Sequence, residues 1–152
     1  MIDTPLKKQN QKTIKNEFSF SGICLHSGKQ SKVTVKPAKE NTGITFIRTD
    51  IKDVNNEIKA LWFNVTSTTL STTISNEEGI SVSTIEHLMS ALSGMHIDNA
   101  IIHIEGSEIP IMDGSSKPFV ELIEKYGSKN LEEKRKIIKV NKEVVVTKDD
   151  SF

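Results

Sequence analysis

Ser81-Val82-Ser83-Thr84-Ile85-Glu86-His87-Leu88-Met89-Ser90-Ala91-Leu92-Ser93-Gly94-Met95-His96-Ile97-Asp98-Asn99 leads through an apolar run to Glu108-Ile109-Pro110-Ile111-Met112-Asp113-Gly114-Ser115 and on to Phe119. Within it Ile85, Leu88, Met89 and Leu92 fall at i, i+3, i+4 and i+7, the single apolar stripe of a short helix. Ser83 suits its N-cap and Gly94 its C′ position. Glu86 and His87 then lie in the first turn, where backbone N–H groups are free and the macrodipole is positive. A carboxylate beside an imidazole serves general-base and metal chemistry. The same residues also read as a capping box, with Glu86 at N3 reaching back to the Ser83 N–H. Both readings stand on spacing alone.

Working outward, 152 residues suffice for one domain with a real core. The hydrophobic fraction is 36% and the charged fraction 26%, with 20 Lys and Arg against 20 Asp and Glu, a globular composition. This balance gives no reason to expect nucleic acid or an anionic membrane as a partner. No apolar run approaches the roughly 20 residues of a bilayer span, and the polar start does not resemble a secretory signal. A single cysteine, Cys24, excludes an internal disulfide and a Cys-based zinc site, and fits a reducing compartment.

In chain order, residues 1–12 read as a flexible N-terminus. Ile14, Phe18 and Phe20 alternate as a strand. Gly22 and Gly28 bracket a loop with His26 at its tip. Val33 and Val35 mark a second strand ended by Pro37, Asn41-Thr42-Gly43 a turn, and Ile44 to Ile47 a third strand, together an antiparallel meander. Ile58 to Phe63 reads as a further strand carrying Trp62, and the hydroxyl-rich run Thr66 to Thr73 as a half-exposed one. Ala100, Ile101, Ile102 and Ile104 form a central apolar strand with His103 on its other side. Pro118, the stripe Phe119, Leu122, Ile123 and Tyr126, and Gly127 outline a second helix. The fold class expected is α+β, a mostly antiparallel sheet packed on two helices, over residues 13–128. Residues 129–136 read as a charged connector. Ile137 to Thr147 reads as a new strand with nothing downstream to pair with, so residues 137–152 are expected to open a truncated second domain.

Several blocks resemble one family in order and spacing. They are Gly22-Ile23-Cys24-Leu25-His26-Ser27-Gly28-Lys29, Asn41-Thr42-Gly43-Ile44 with Arg48-Thr49-Asp50, Ser83-Thr84-Ile85-Glu86-His87-Leu88, Ile97-Asp98-Asn99, and Glu108-Ile109-Pro110-Ile111-Met112-Asp113-Gly114-Ser115. The chain resembles, from about Thr13 onward, the bacterial UDP-3-O-acyl-N-acetylglucosamine deacetylases, zinc hydrolases of lipid A synthesis. The resemblance implies a cytoplasmic amidase that releases acetate from a UDP-acyl-sugar. It implies two similar α+β domains with the active site between them. Carried over by position, His87 matches the first zinc ligand and Glu86 the general base acting on the water at the zinc. His26 and Lys29 match a loop close to the site and are candidate substrate-binding residues; Thr69 is a third, in the run that reads as a half-exposed strand or, alternatively, as a polar wall beside a ligand. Asp98 and Asp113 match family blocks and read as loop and helix-end organisers.

The departure from the family is equally specific. Its other zinc ligands are a His and an Asp four residues on, its general acid another His, all in the second domain. Here His26, His87, His96 and His103 are followed at i+4 by Gln30, Ala91, Ala100 and Ser107. The sequence therefore points to the N-terminal part of a zinc deacetylase, monomeric, not inserted in a membrane, and inactive alone because Zn2+ needs further ligands. The competing reading is a non-catalytic binding or structural module that keeps the domain fold.

Overall fold

The structure is a computed structural model and describes residues 9–138 and 140–145. Its elements in order are β1 (Asn10–Ile14), β2 (Phe18–Ile23), β3 (Gln30–Pro37), β4 (Ile44–Arg48), β5 (Glu57–Lys59), β6 (Val65–Ser67), β7 (Thr73–Ser75), β8 (Ser81–Val82), α1 (Glu86–Gly94), β9 (Ala100–Glu105), α2 (Lys117–Tyr126) and β10 (Ser128–Lys134). A five-stranded sheet of order β2-β3-β9-β4-β5 forms one layer and the two helices the other. The β6-β7-β8 sheet and the β1-β10 ribbon complete the α+β sandwich.

Alternation puts one face of the sheet inside. Phe18 and Phe20 stand opposite Val35 and Val33, which stand opposite Ile102 and Ile104, and Phe46 lies between Ile102 and Ile58. All of these are buried, as are Leu88, Ala91 and Leu92 of α1 and Phe119 and Ile123 of α2. Phe119 meets Phe20 edge-on at 5.2 Å, and Tyr126 stacks on Phe18 at 5.4 Å, which seats α2 on β2. The second helix has Pro118 in its first turn and Gly127, at φ 80°, as its C-cap, as expected. Of the anticipated core, Ile85, Leu88, Leu92, Ile104, Phe119 and Ile123 are buried, and Met89 and Leu122 pack at its margin. Ile101 points the other way, because the period of two assigns the core face to Ala100, Ile102 and Ile104.

Several expectations are corrected. The first helix starts at Glu86 with Ile85 as its N-cap and makes no side-chain cap bond. Ser83 does not cap: its hydroxyl and its N–H both donate to Ser107 O, and its C=O accepts the Ile109 N–H, so neither half of the capping box is free to form. Gly94 is the last helical residue, and the left-handed position falls on His96 at φ 59°. Strand β4 runs parallel to β9, so the sheet is mixed and not a pure meander. The Ile58–Phe63 strand ends at Lys59 and gives way to a 3-10 turn, Trp62–Asn64, that leaves Trp62 85% exposed. The threonine run folds back on itself as the β6-β7 hairpin, with Leu70 at φ 61° in its loop.

At the termini, Ile14 belongs to β1, whose partner is β10, so residues 10–12 are strand and most of the expected connector 129–136 is strand too. Of the strand expected at Ile137–Thr147, residues 137, 138 and 140–145 carry no strand pairing, while 139, 146 and 147 lie outside the described residues.

Leu88 is fully buried between α1 and the sheet. Leu88→Ala is expected to lower the unfolding free energy by about 2–5 kcal/mol in urea titrations. A loss well under 1 kcal/mol, roughly a surface-substitution value, would contradict this placement.

Candidate functional site

The start of α1 is fixed by two loops. On one side, Thr72 at the end of the β6-β7 loop donates its N–H to Glu86 Oε2 at 2.9 Å, and its C=O accepts the Ile85 N–H at 3.4 Å. The carboxylate of Glu86 is thereby oriented, and its Oε1 has no hydrogen-bond partner among the described residues. Glu86 and His87 are both half-buried, neither sealed in the core nor free in solvent. Glu86 stands at the first helical position, where a carboxylate also meets the positive end of the helix dipole.

On the other side stands Glu108, which is 3% exposed. Its Oε1 accepts the His26 N–H at 2.9 Å and the Thr84 hydroxyl at 3.2 Å, and its Oε2 accepts the Ser27 N–H at 3.0 Å. Burial pushes this carboxyl upward, but the N–H and hydroxyl donors of His26, Ser27 and Thr84 outweigh it, and Glu108 titrates below the ordinary carboxylate value. The loop is closed by Cys24 N–H to Lys29 O at 2.8 Å and Gly28 N–H to Cys24 O at 3.1 Å. Gly28 adopts φ 64°, with open space around it. The buried Cys24 thiol donates to Glu108 O at 3.3 Å, and burial raises its titration, so it stays a thiol at neutral pH.

Behind the loop lies a cavity of about 320 Å³ walled by Lys29, Arg48, Asp50, Glu105 and Glu108 among others. Arg48 donates to both Asp50 oxygens, at 2.9 and 2.8 Å, and to Ser81 O at 2.8 Å, which ties β4 to the strand feeding α1. This guanidinium holds the Asp50 carboxyl down from 3.8 to about 2, against the opposing effect of burial. A larger cavity of about 850 Å³ lies at the far end of β9, among Gln11, Asn41, Asp98, Asn99 and Arg135, and none of the candidate residues lines it.

Of the expected site residues, Glu86 and His87 are neighbours at the helix start, and the His26 loop is bonded through Glu108 to Thr84, two residues before Glu86. Lys29 closes that loop and faces the smaller cavity. Thr69 is exposed in the hairpin loop, and the residue that touches Glu86 is Thr72. Asp98 accepts the Lys12 N–H and pairs with Arg135 at 2.7 Å, and Asp113 accepts the Ser115 N–H before α2, both as loop organisers. His103 lies on the outer face of β9, opposite Thr34 and Ile47, and His96 lies past the opposite end of α1. Among the described residues no three His, Cys, Asp or Glu side chains cluster as a metal site. Sequence reasoning missed the roles of Glu108, Thr84 and Thr72. For Glu108 the signal is its context: a charge set against Ile109-Pro110-Ile111 must be paired if it is buried.

A family model described as UDP-3-O-acyl N-acetylglycosamine deacetylase matches residues 11–152. The chain belongs to this family. Curated relatives carrying the name UDP-3-O-acyl-N-acetylglucosamine deacetylase include one from Geotalea uraniireducens, 51% identical over 140 residues, covering 92% of this chain and 45% of the relative. Another, from Shewanella halifaxensis, is 43% identical over 142 residues, covering 93% and 46%. The deacetylase family is the one the sequence blocks pointed to. The chain spans less than half the length of these relatives.

The Arg48–Asp50 pair generates a pH dependence. A carboxyl held below its ordinary value contributes stability above that value and loses the contribution as pH falls through the folded-state one. The Asp50 contribution is therefore complete above about 4 and drains toward about 2. Urea midpoints of the parent protein should fall more steeply across that interval than those of Asp50→Asn. Parallel curves for the two proteins would contradict the assignment.

Proposed function

We propose that this chain is the N-terminal part of a cytoplasmic zinc-dependent deacetylase that removes the N-acetyl group of a UDP-3-O-acyl-N-acetylglucosamine in lipid A synthesis. In this reading Glu86 is the general base and His87 a zinc ligand. The observation that carries it is the first turn of α1: a half-buried imidazole beside a carboxylate already oriented through one oxygen by the Thr72 N–H. Family membership supports the substrate class. No helix of the described residues is long and apolar enough to cross a membrane.

The donor set fits part of a zinc site. Catalytic zinc takes about three protein ligands. The imidazole of His87 is one, and we assign the others to the part of the longer relatives that this chain does not span. When bound, zinc supplies Lewis-acid polarisation of the amide and acidifies water toward a pKa of roughly 7. The chain's own residues then do the following. Glu86 accepts a proton at Oε1, the oxygen left open by the Thr72 bond. In this reading His26 and Thr69 contact the substrate, and the Lys29 ammonium meets its anionic part. The substrate is a small molecule, the protein is a monomer, and the isolated chain is inactive.

Two measurements test this. In the full-length enzyme, Glu86→Gln keeps an oxygen that accepts the Thr72 N–H but removes the proton acceptor. It should leave folding and zinc content intact while lowering kcat by about 10²–10⁴. Loss of folding with little loss of specific activity would point to a structural carboxylate instead. For the 152-residue chain itself, equilibrium dialysis against micromolar zinc should retain little metal. Stoichiometric zinc, abolished by His87→Ala and accompanied by deacetylation, would overturn the need for a second domain.

A further inference from the structure

We propose that Glu108 is the positioning residue of the candidate site, a buried carboxylate that locks the His26 loop to the backbone just ahead of Glu86 and His87. The mechanistic importance of this lock rests on the function proposed above; the lock itself rests on geometry. Each hydrogen bond that the carboxylate accepts comes from one of two segments, the loop carrying His26 and Lys29 or the turn into α1. Oε1 is shared between the two, receiving the His26 N–H and the Thr84 hydroxyl at once. The two walls of the site therefore meet at a single atom.

Thr84 shows why such a lock is needed. It adopts φ 57°, and a β-branched residue in the left-handed region is a real outlier. Strain of this kind persists where the surroundings over-determine the conformation, and it gathers at functional sites. Thr84 is buried, its hydroxyl bonds Glu108, and the residues on either side are held by Ser107 and Thr72. The turn that results starts the helix at Glu86 and not at Ser83, which brings the Glu86 carboxylate onto the Thr72 N–H. The position of Glu108 is held in turn by the bridge in which the Ile109 N–H donates to Ser83 O.

The choice of a carboxylate is informative. Glu108 supplies two acceptor oxygens for three converging donors and no donor of its own. A glutamine in its place offers one oxygen and an NH2 group, so one backbone N–H, of His26 or of Ser27, must face a donor whichever way the amide turns.

Amide hydrogen exchange by NMR on the 152-residue chain tests the proposal. Glu108→Gln should speed exchange at His26 or Ser27 by about tenfold or more, while Val33 and Ile102 in the sheet change by less than about twofold. The Glu86 and His87 amide resonances should shift in the same variant. Thr84→Val, which deletes one hydroxyl and keeps the branched shape, should shift the His26 resonances together with those of Glu86 and His87, and Thr84→Ser should restore them. Unchanged protection at both His26 and Ser27, or a common acceleration of all amides, would overturn the proposal. If Glu108→Gln does not fold, Thr84→Val decides, and His26 resonances unmoved in it overturn the lock. Neither readout uses zinc or turnover, so failure of the lock and failure of the deacetylase reading are separately visible.

Discussion

The pairing of β9 with β3 on one side and β4 on the other is the constraint from which the site hangs. Bonded along both edges and buried on the face of Ala100, Ile102 and Ile104, this strand has no freedom to slide without turning its apolar set outward. The helix bearing Glu86 and His87 enters it at one end, and Glu108 leaves it at the other. At the entry, Asn99 donates to Gln11 and accepts the Gly43 N–H, while Asp98 accepts the Lys12 N–H. At the exit, Glu108 gathers the His26 loop and Thr84. Two buried polar networks, one per strand end, thus hold α1 at its C-terminal and N-terminal sides. Each is satisfied within the protein, and leaving one such buried group unpaired costs about 1–3 kcal/mol.

Much of the architecture was legible because its signals are periodic. The stripes Leu88–Leu92 and Phe119–Ile123, with Pro118 and Gly127 as punctuation, state two helices, and the run Ala100–Ile104 states a central strand. What was not legible depends on partners remote in sequence. Strand β10 is charged and almost wholly exposed, so no pattern marks it; it is a strand because β1 offers its edge. The capping box was misread because Ser83 is already committed to its bridge with Glu108, a contact 25 residues along the chain that local spacing does not reveal. The threonine run has high strand propensity throughout, yet it must turn for Ile74 to stand opposite Val65 and Val82. The pair Glu86–His87 was visible as residues, but its chemical meaning came from the resemblance and not from spacing.

The structure also separates what this chain holds ready from what it does not. The Glu86 carboxylate is oriented, with one oxygen engaged and one open among the described residues, and the His26 loop is bonded to a carboxylate that is itself below its ordinary titration value. These features are formed within the described residues. Metal chelation differs: among the described residues no three His, Cys, Asp or Glu side chains cluster as a metal site, and of the histidines only that of the His26 loop is tied to the same end of α1 as His87, with His96 beyond the other end and His103 on the far face of the sheet. That distribution accords with the account proposed above, in which this fold prepares one face of a site and the opposing ligands come from outside the described residues.

Titration of the chain with Co2+, read by absorption and by paramagnetic broadening in NMR, tests that account most directly, because cobalt reports both ligand geometry and location. The account predicts weak binding with the faint bands of a largely water-ligated ion, and broadening centred on His87, spreading to Glu86, Thr72 and the His26 loop. Intense tetrahedral bands would mean that this chain alone furnishes a closed ligand set. Those bands, or broadening centred on His96 or His103, would contradict it.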